Sequence, residues 1–149
     1  MFRRVLVALG LAACGDTIDV RIELQDADDN CGAAFGSIHS LSIEAVARDG
    51  RCLLRHRCAY DAEGLASVDD VAAALRAAGD ILLELDAAEA QALVINGRPL
   101  NDCFSRGDDL NHPVLCGSQN LDAAAGGRLV IELEPNEAGS CPESIDLCE

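Results

Sequence analysis

The 149-residue sequence predicts a mainly β protein: a small, disulfide-bridged antiparallel sandwich or open barrel with one short helix. Three observations support this fold class. Several segments alternate apolar and polar residues, one Asp-Gly pair separates two such segments, and the chain contains 8 cysteines. The length is that of one domain, and because aromatic residues make up only 3% of the chain, the core must be built from Val, Ile, Leu and Ala.

The first half of the chain contains the clearest strand patterns. Residues Thr17 to Leu24 alternate without interruption, and Ser37 to Arg48 repeat the alternation. Asp49 and Gly50 come next, and both tolerate the positive φ values of a type I′ turn. Arg51 to Tyr60 then return as the partner strand. We expect a hairpin here, with Arg55 and Arg57 of the second strand pointing to solvent.

One segment has the pattern of a helix. Ser67 and Asp70 form a capping box, while Val71, Leu75 and Ala78 share one helical face. Arg76 falls in the last turn and Gly79 comes after it, as is common at helix ends. The sequence therefore predicts about three turns between Ser67 and Gly79.

The middle of the chain leaves two interpretations open. Ile81 to Leu85 and Ala92 to Ile95 are short apolar runs that are typical of strands. Alternatively, Asp86 and Glu89 could cap a second short helix over Ala87 to Leu93.

Turn and loop signals dominate the chain after Ile95. Asn96-Gly97, with Pro99 shortly after, predicts a turn, and Asn101 to Asn120 predict a loop rich in Asp, Asn and Gly. Arg128 to Glu134 are the last clear strand. Immunoglobulin-like and transthyretin-like sandwiches are the nearest fold types by analogy alone, since neither family's motifs are present.

The N-terminus resembles the signal peptide of bacterial lipoproteins. Two arginines, Arg3 and Arg4, precede an apolar run, and Leu11-Ala12-Ala13-Cys14 is similar to a lipobox. The resemblance implies that the thiol of Cys14 is acylated and that the chain is cut just before it. Since the residue after Cys14 is Gly15 rather than Asp, the resemblance also favours the outer membrane. An ordinary signal peptide with a cysteine near its cleavage site is the alternative.

This interpretation divides the chain into a signal peptide (1–13), a lipid-anchored N-terminus (14–16), one β-rich domain (17–134) and a cysteine-containing tail (135–149). Cleavage lowers the number of basic residues from 11 to 9 against 26 acidic ones, so the net charge changes from −15 to −17. That charge argues against nucleic acid as a partner and is suited to a basic protein. We expect attachment to the membrane through the acyl chains.

The cysteines after Cys14 are expected to form disulfides, because exported proteins fold in an oxidising compartment. Seven remain, so three bridges and one spare thiol are the simplest arrangement. The candidates for bridges are Cys31, Cys58, Cys103, Cys116, Cys141 and Cys148, and the candidate free thiol is Cys52. Local closure favours Cys103 with Cys116 and Cys141 with Cys148, and would leave Cys31 for Cys52 or Cys58.

Candidates for chemistry are few. A histidine, His39, His56 or His112, could act as a base beside a carboxylate or a cysteine. Zinc bound by Cys52, His56, Cys58 and His39 has suitable ligand types but no common zinc spacing. No GxSxG, HExxH or glycine-rich phosphate motif is present, and no cofactor is expected.

The acidic loop after the first strand offers a weak calcium candidate. Asp26, Asp28 and Asn30 alternate like the first ligands of an EF-hand loop, but Cys31 stands where that loop needs Gly and Ser37 where it needs Glu. A solvated polar turn is the alternative interpretation, and it predicts no calcium effect below millimolar concentrations.

The sequence leaves two functions of different class. The first is a non-enzymatic, lipid-anchored envelope protein that binds a protein or glycan or structures the cell surface. The second is a small exported enzyme, such as a hydrolase that uses a histidine and carboxylate pair. A histidine clustered with two acids in a pocket would favour the enzyme.

Overall fold

The computed structural model describes residues 17–18, 21–27, 31–78, 85–86, 89–104, 110–124, 127–137, 139–142 and 145–149. Its elements in chain order are strands β1 (Thr17–Ile18) and β2 (Arg21–Asp26), helix α1 (Gly32–Phe35), strands β3 (Ser40–Ala47) and β4 (Leu53–Tyr60), helix α2 (Val68–Ala78), strands β5 (Leu85–Asp86), β6 (Ala90–Arg98) and β7 (Leu115–Asn120), a 3₁₀ turn (Leu121–Ala123) and strand β8 (Arg128–Pro135).

Six strands form one open sheet in the order β2-β8-β7-β6-β3-β4, and β1 pairs separately with β5. All neighbours in the large sheet are antiparallel except β2 and β8, which run parallel. The predicted mainly β class is confirmed, with α2 as the one predicted short helix and α1 as an additional single turn, and the sheet is not closed into a barrel. An all-antiparallel sheet was expected, and the parallel pair β2–β8 differs from it. The two strands are not joined by a hairpin, because β3, β4, β6 and β7 come between them in the chain.

The predicted hairpin joins β3 and β4. Ser40 of β3 pairs with Tyr60 of β4, and the register continues toward the turn with a bulge near Val46. Gly50 has a φ of 69°, whereas Asp49 accepts a hydrogen bond from the Arg51 N–H at 3.0 Å and keeps a negative φ. The turn therefore differs from the predicted type I′, which needs a positive φ at both residues.

The predicted helix is α2, and its capping box is present. The Asp70 N–H donates to Ser67 Oγ at 3.3 Å, and the Ser67 hydroxyl donates to the Asp70 carboxylate at 2.9 Å. The backbone N–H of Ala66 also donates to this carboxylate, so these hydrogen bonds hold the Asp70 pKa below its usual value. Ala78, expected on the buried face, is exposed.

The middle of the chain contains a long strand rather than the predicted turn. Strand β6 runs through Asn96 and Gly97, and both are buried. Gly97 is needed for close packing, since a Cβ there would lie 2.7 Å from Ile38 Cδ1. From Ala90 onward the ambiguous segment is strand, so a helix over Ala87 to Leu93 is excluded there, while residues 87–88 lie outside the described residues.

Strand β7 lies in the segment predicted as a loop. Leu115–Asn120 carry few apolar side chains, yet the strand pairs with β6 and, at its start, with β8. Gly117 allows β8 to approach, because a Cβ there would overlap the carbonyl oxygen of Glu132. The strand is thus specified by its neighbours and not by its own pattern.

Both faces of the sheet are covered, the first by the two helices and the second by a loop and the C-terminal tail. Helices α1 and α2 pack on the first face through Phe35, Val71 and Leu75, which join a cluster of strand residues. The members from the sheet that are fully or almost fully buried are Leu41, Ile43, Ala45, Ala90, Leu93, Ile95, Leu115, Leu129, Ile131 and Leu133. On the second face, the tail residue Ile145 packs on Val46, Leu53 and Val94.

Within the described ranges, no helix is long and apolar enough to cross a membrane. Residues 1–13, Cys14 and Gly15 lie outside these ranges.

Candidate functional site

The second face of the sheet contains a buried polar cluster, defined as Ser42, Glu44, Asn96, Arg98 and Asn111. Alternate residues of a strand share a face, and the β3–β6 register pairs Ser42 with Asn96. Glu44 is only 2% exposed, and Asn96 and Arg98 are completely buried. Charged and amide groups of this kind must find partners inside the protein.

The carboxylate of Glu44 is at the centre of this cluster. The Ser42 hydroxyl donates to its Oε1 at 2.8 Å, and Asn96 Nδ2 lies 3.5 Å from its Oε2. Burial raises the pKa of Glu44, and the hydrogen bonds of Ser42 and Asn96 and the charges of Arg98 and His56 only partly oppose that rise. The site therefore favours the neutral form of this carboxyl more than water does.

Asn96 has one polar atom with no partner. Among the described residues, nothing donates to its Oδ1, although the side chain is buried between Ser42 of β3 and Cys116 of β7. Rotating the amide by half a turn would exchange Oδ1 and Nδ2. The oxygen could then accept a hydrogen bond from a neutral Glu44.

Arg98 and Asn111 position the loop between β6 and β7, which covers the cluster and which we call the covering loop. Its described residues are 99–104 and 110–114. Arg98 Nη1 donates to the Asn111 carbonyl at 2.8 Å. The Asn111 amide nitrogen donates to the carbonyls of Asp102, at 2.7 Å, and Phe104, at 2.9 Å, and its Oδ1 accepts from the Leu100 N–H at 3.0 Å. Asn111 thus takes the place of regular backbone pairing within this loop.

Three disulfides attach the covering segments to the sheet. Their Cα–Cα distances are 5.0 Å for Cys52–Cys148, 6.1 Å for Cys58–Cys103 and 5.6 Å for Cys116–Cys141. The second joins β4 to the covering loop, while the other two join the tail to the start of β4 and to β7. All three lie at normal Cα separations for disulfides.

The predicted number of bridges is confirmed, but the predicted pairing is wrong. Cys103 does not bond Cys116, and Cys141 does not bond Cys148. Short loops favour local pairs only in a chain without a fold, whereas here the loop and the tail return over different strands. Cys103 of the loop and Cys141 and Cys148 of the tail each bond a cysteine in, or directly before, the strand that their segment crosses.

The free thiol is Cys31, not Cys52, and Cys31 forms neither of the bridges expected of it. Its Sγ lies 3.1 Å from the Leu133 carbonyl, to which it donates. Burial, followed by the nearby Asp26 carboxylate, raises the Cys31 pKa to about 12. This thiol is therefore a buried apolar group and not a nucleophile.

The three histidines lie apart. His39 Nδ1 is 3.2 Å from Glu63 Oε1 at the surface, and His112 is exposed. His56 lies opposite Glu44 in the β3–β4 register, with its ring edge-on to Phe104 at 5.1 Å between centroids. Across the described ranges, no group of three metal-binding or acid–base side chains comes together. The histidine with two acids that would favour an enzyme is not found there.

The metal candidates have other partners. Cys52 and Cys58 are oxidised in disulfides and so cannot ligate zinc, which makes the four-ligand zinc hypothesis wrong. Asp26 Oδ1 accepts a hydrogen bond from the Cys31 N–H at 3.1 Å. Asp28 and Asn30, the other calcium candidates, lie outside the described residues.

The open edge of the sheet carries a groove, which we call the β4 edge groove. It has a volume of about 260 Å³ and is lined by Leu54, Arg55, His56, Arg57 and Leu147. Arg55 and Arg57 are exposed, as predicted, and neither forms an ion pair with a described residue. This surface is accessible, in contrast to the polar cluster.

A second groove, of about 460 Å³, lies between α1 and the covering loop. Its lining includes His112, two prolines (Pro99 and Pro113) and Leu110, which is 87% exposed. Its walls are mainly apolar, and no charge cluster among the described residues gives it a preferred ligand.

The polar cluster was not predicted from the sequence. The alternation in β3 indicates that Leu41, Ile43 and Ala45 face the core, and it places Ser42 and Glu44 toward solvent. Their burial depends on the loop and the tail, and the sequence signal for that cover is the presence of Cys103 in the loop and of Cys141 and Cys148 in the tail.

Comparison with protein-family models, with curated proteins and with solved structures finds no match to this chain.

Proposed function

We propose that this protein is an exported, lipid-anchored envelope protein that acts by binding a partner and not by catalysis. The observation that carries the proposal is the set of three disulfides, which use six of the seven cysteines after Cys14. Disulfides of this number are typical of proteins that fold in an oxidising compartment. Export is also what a lipobox requires, so the disulfides support the interpretation of Leu11-Ala12-Ala13-Cys14 as a lipobox.

The arrangement of the titratable groups supports binding over hydrolysis. Glu44, a carboxyl whose pKa is raised by burial, is 2% exposed, so a substrate could not reach it without opening the disulfide-linked cover. His56 is the one histidine that lies opposite Glu44 in the register of the described strands. The accessible features of the described part of the chain include two grooves and an edge strand, which are typical binding surfaces.

The location is inferred from the same residues. Acyl chains on Cys14 would hold the domain at a membrane, because each buried methylene contributes about 0.8 kcal/mol. Gly15 after Cys14 favours the outer membrane. The net charge of −17 on the processed chain repels anionic headgroups, so attachment would depend on the lipid, and a basic protein is the partner that this overall charge attracts.

The experiment is metabolic labelling with a palmitate analogue in cells that express the full chain, followed by fractionation. We expect label and membrane association for the wild type and neither for Cys14→Ser. Cys31→Ala is the matched control, since Cys31 is the free cysteine among the described residues, and it should keep the label. An unlabelled wild type that stays in the membrane fraction would refute the lipid anchor.

A further inference from the structure

We propose that the β4 edge groove binds an extended acidic segment of another protein by adding it as a strand to the sheet. Strand β4 ends the sheet order, so its outer side has no strand neighbour along most of its length in the described part of the chain. An open edge of this kind is a template for strand addition. This proposal rests on the proposed function only in taking the protein to be a binding protein.

The protein's own acidic tail pairs with this edge through one bridge. The Leu53 N–H donates to the Asp146 carbonyl and the Cys148 N–H donates to the Leu53 carbonyl, both at 2.8 Å. These bonds form a parallel bridge between Leu53 and Leu147. The tail is fixed there by the Cys52–Cys148 disulfide, and it pairs with β4 only at Leu53 among the described residues.

The charge of the remaining edge selects an acidic partner. Arg51, Arg55 and Arg57 are three of the nine basic residues in the processed chain, and they fall within seven positions. All three are exposed, and none forms an ion pair with a described residue. The net charge of the processed chain is −17, so this edge is a locally positive surface on a negatively charged protein. Such a surface favours a partner with carboxylates at alternate positions.

The side chains of the groove complete the site. Leu54 and Leu147 supply apolar contact, and the register places Arg55 and Arg57 on one face of β4 and His56 on the other. A strand laid beside β4 would therefore present alternate side chains to the two arginines. A second copy of this chain is a poor occupant, because it would bring arginine against arginine.

The test is fluorescence anisotropy with a labelled peptide of about eight residues, the length of a typical strand. The peptide has glutamate at alternate positions, with valine and threonine between them. One comparison peptide has lysine for each glutamate, and a second is N-methylated on every backbone nitrogen, so that neither of its edges can donate to a strand ladder. The protein is the full chain in non-ionic detergent micelles.

We expect only the acidic, unmethylated peptide to bind. The double variant Arg55→Glu with Arg57→Glu should weaken binding by about tenfold or more, because two attractions become repulsions. The control is Arg21→Glu with Arg76→Glu, which makes the same change in net charge at exposed arginines on the opposite edge strand and on α2. It should leave binding within about twofold of the wild type.

Three results would overturn the proposal. The first is equal binding of the lysine peptide or the N-methylated peptide. The second is displacement of the peptide by phosphatidylglycerol added to the micelles, which would assign the arginines to a lipid surface. The third is a dimer that the Arg55→Glu, Arg57→Glu variant abolishes in sedimentation, which would assign the edge to a second copy. Since acylation of Cys14 plays no part in this assay, its failure would leave the lipid anchor standing.

Discussion

Replacing Glu44 by glutamine should stabilise the protein at neutral pH. The charged carboxylate is 2% exposed, and burial raises its pKa in the folded state. A raised folded pKa means that the folded chain binds this proton more tightly than the unfolded chain does. The stability that comes from Glu44 is therefore fully present below the unfolded pKa of about 4.5 and is lost as pH rises through the folded pKa.

The magnitude follows from the burial of the carboxylate. A buried polar group whose hydrogen bonds are incompletely compensated costs about 1 to 3 kcal/mol, so a neutral side chain of the same shape should recover roughly that amount at about pH 8. Glutamine keeps the hydrogen bond from Ser42 through its oxygen. Its amide group can donate to Asn96 Oδ1, which lacks a partner among the described residues, once that amide rotates. The lost attraction to Arg98 does not reverse the sign, because burial outweighs that attraction in its effect on the Glu44 pKa.

The assay is urea unfolding under non-reducing conditions at intervals between about pH 4 and pH 8. The gap in free energy of unfolding between Glu44→Gln and wild type should be near zero at the acid end and grow with pH. Glu132→Gln, which removes one exposed carboxylate of β8, should show no such growth. A difference in free energy of unfolding that stays constant with pH would refute the reasoning. So would a difference that turns against Glu44→Gln as the pH rises from 4 to 8.

Two further predictions test the packing and the thiols. Gly97→Ala should lower the free energy of unfolding by about 1 to 3 kcal/mol because the new methyl group meets Ile38, whereas Gly32→Ala, with nothing within 4 Å, should be neutral or slightly stabilising in thermal melts. Equal effects at the two glycines would contradict the close approach at β6. Alkylation without reductant should label Cys31 only after unfolding, since the folded thiol is buried with a pKa of about 12, and peptide mapping that finds Cys52 labelled instead would contradict the disulfide assignment.

Local patterns in the sequence predicted several elements well. The strand predicted over Thr17 to Leu24 is present as two strands, β1 and β2, which pair with different partners, and Ile22 and Leu24 of β2 pack on the core. The hairpin around Gly50 and the helix after Ser67 also form. In each case, the signal is carried by neighbouring residues, and the element needs only those neighbours to be recognised.

Prediction failed where an element depends on distant parts of the chain. Asn96-Gly97 has the composition of a turn, but β3 and β7 pair with it on both sides and Ile38 needs the space that Gly97 leaves. Leu115–Asn120 has no strand pattern, yet it lies between β6 and β8. Tertiary pairing overrides local propensity in both segments.

The sequence by itself determined the inventory: strands from period-two alternation, one capped helix, and three bridges with one spare thiol from the seven cysteines that follow Cys14. Only the tertiary structure decided which cysteines meet and which polar residues are buried. Cys58 reaches Cys103, and Ser42 and Glu44 lose their solvent, because a loop and a tail fold back over the second face of the sheet. Distance in space is set by strand order, and strand order is not encoded in the spacing of residues along the chain.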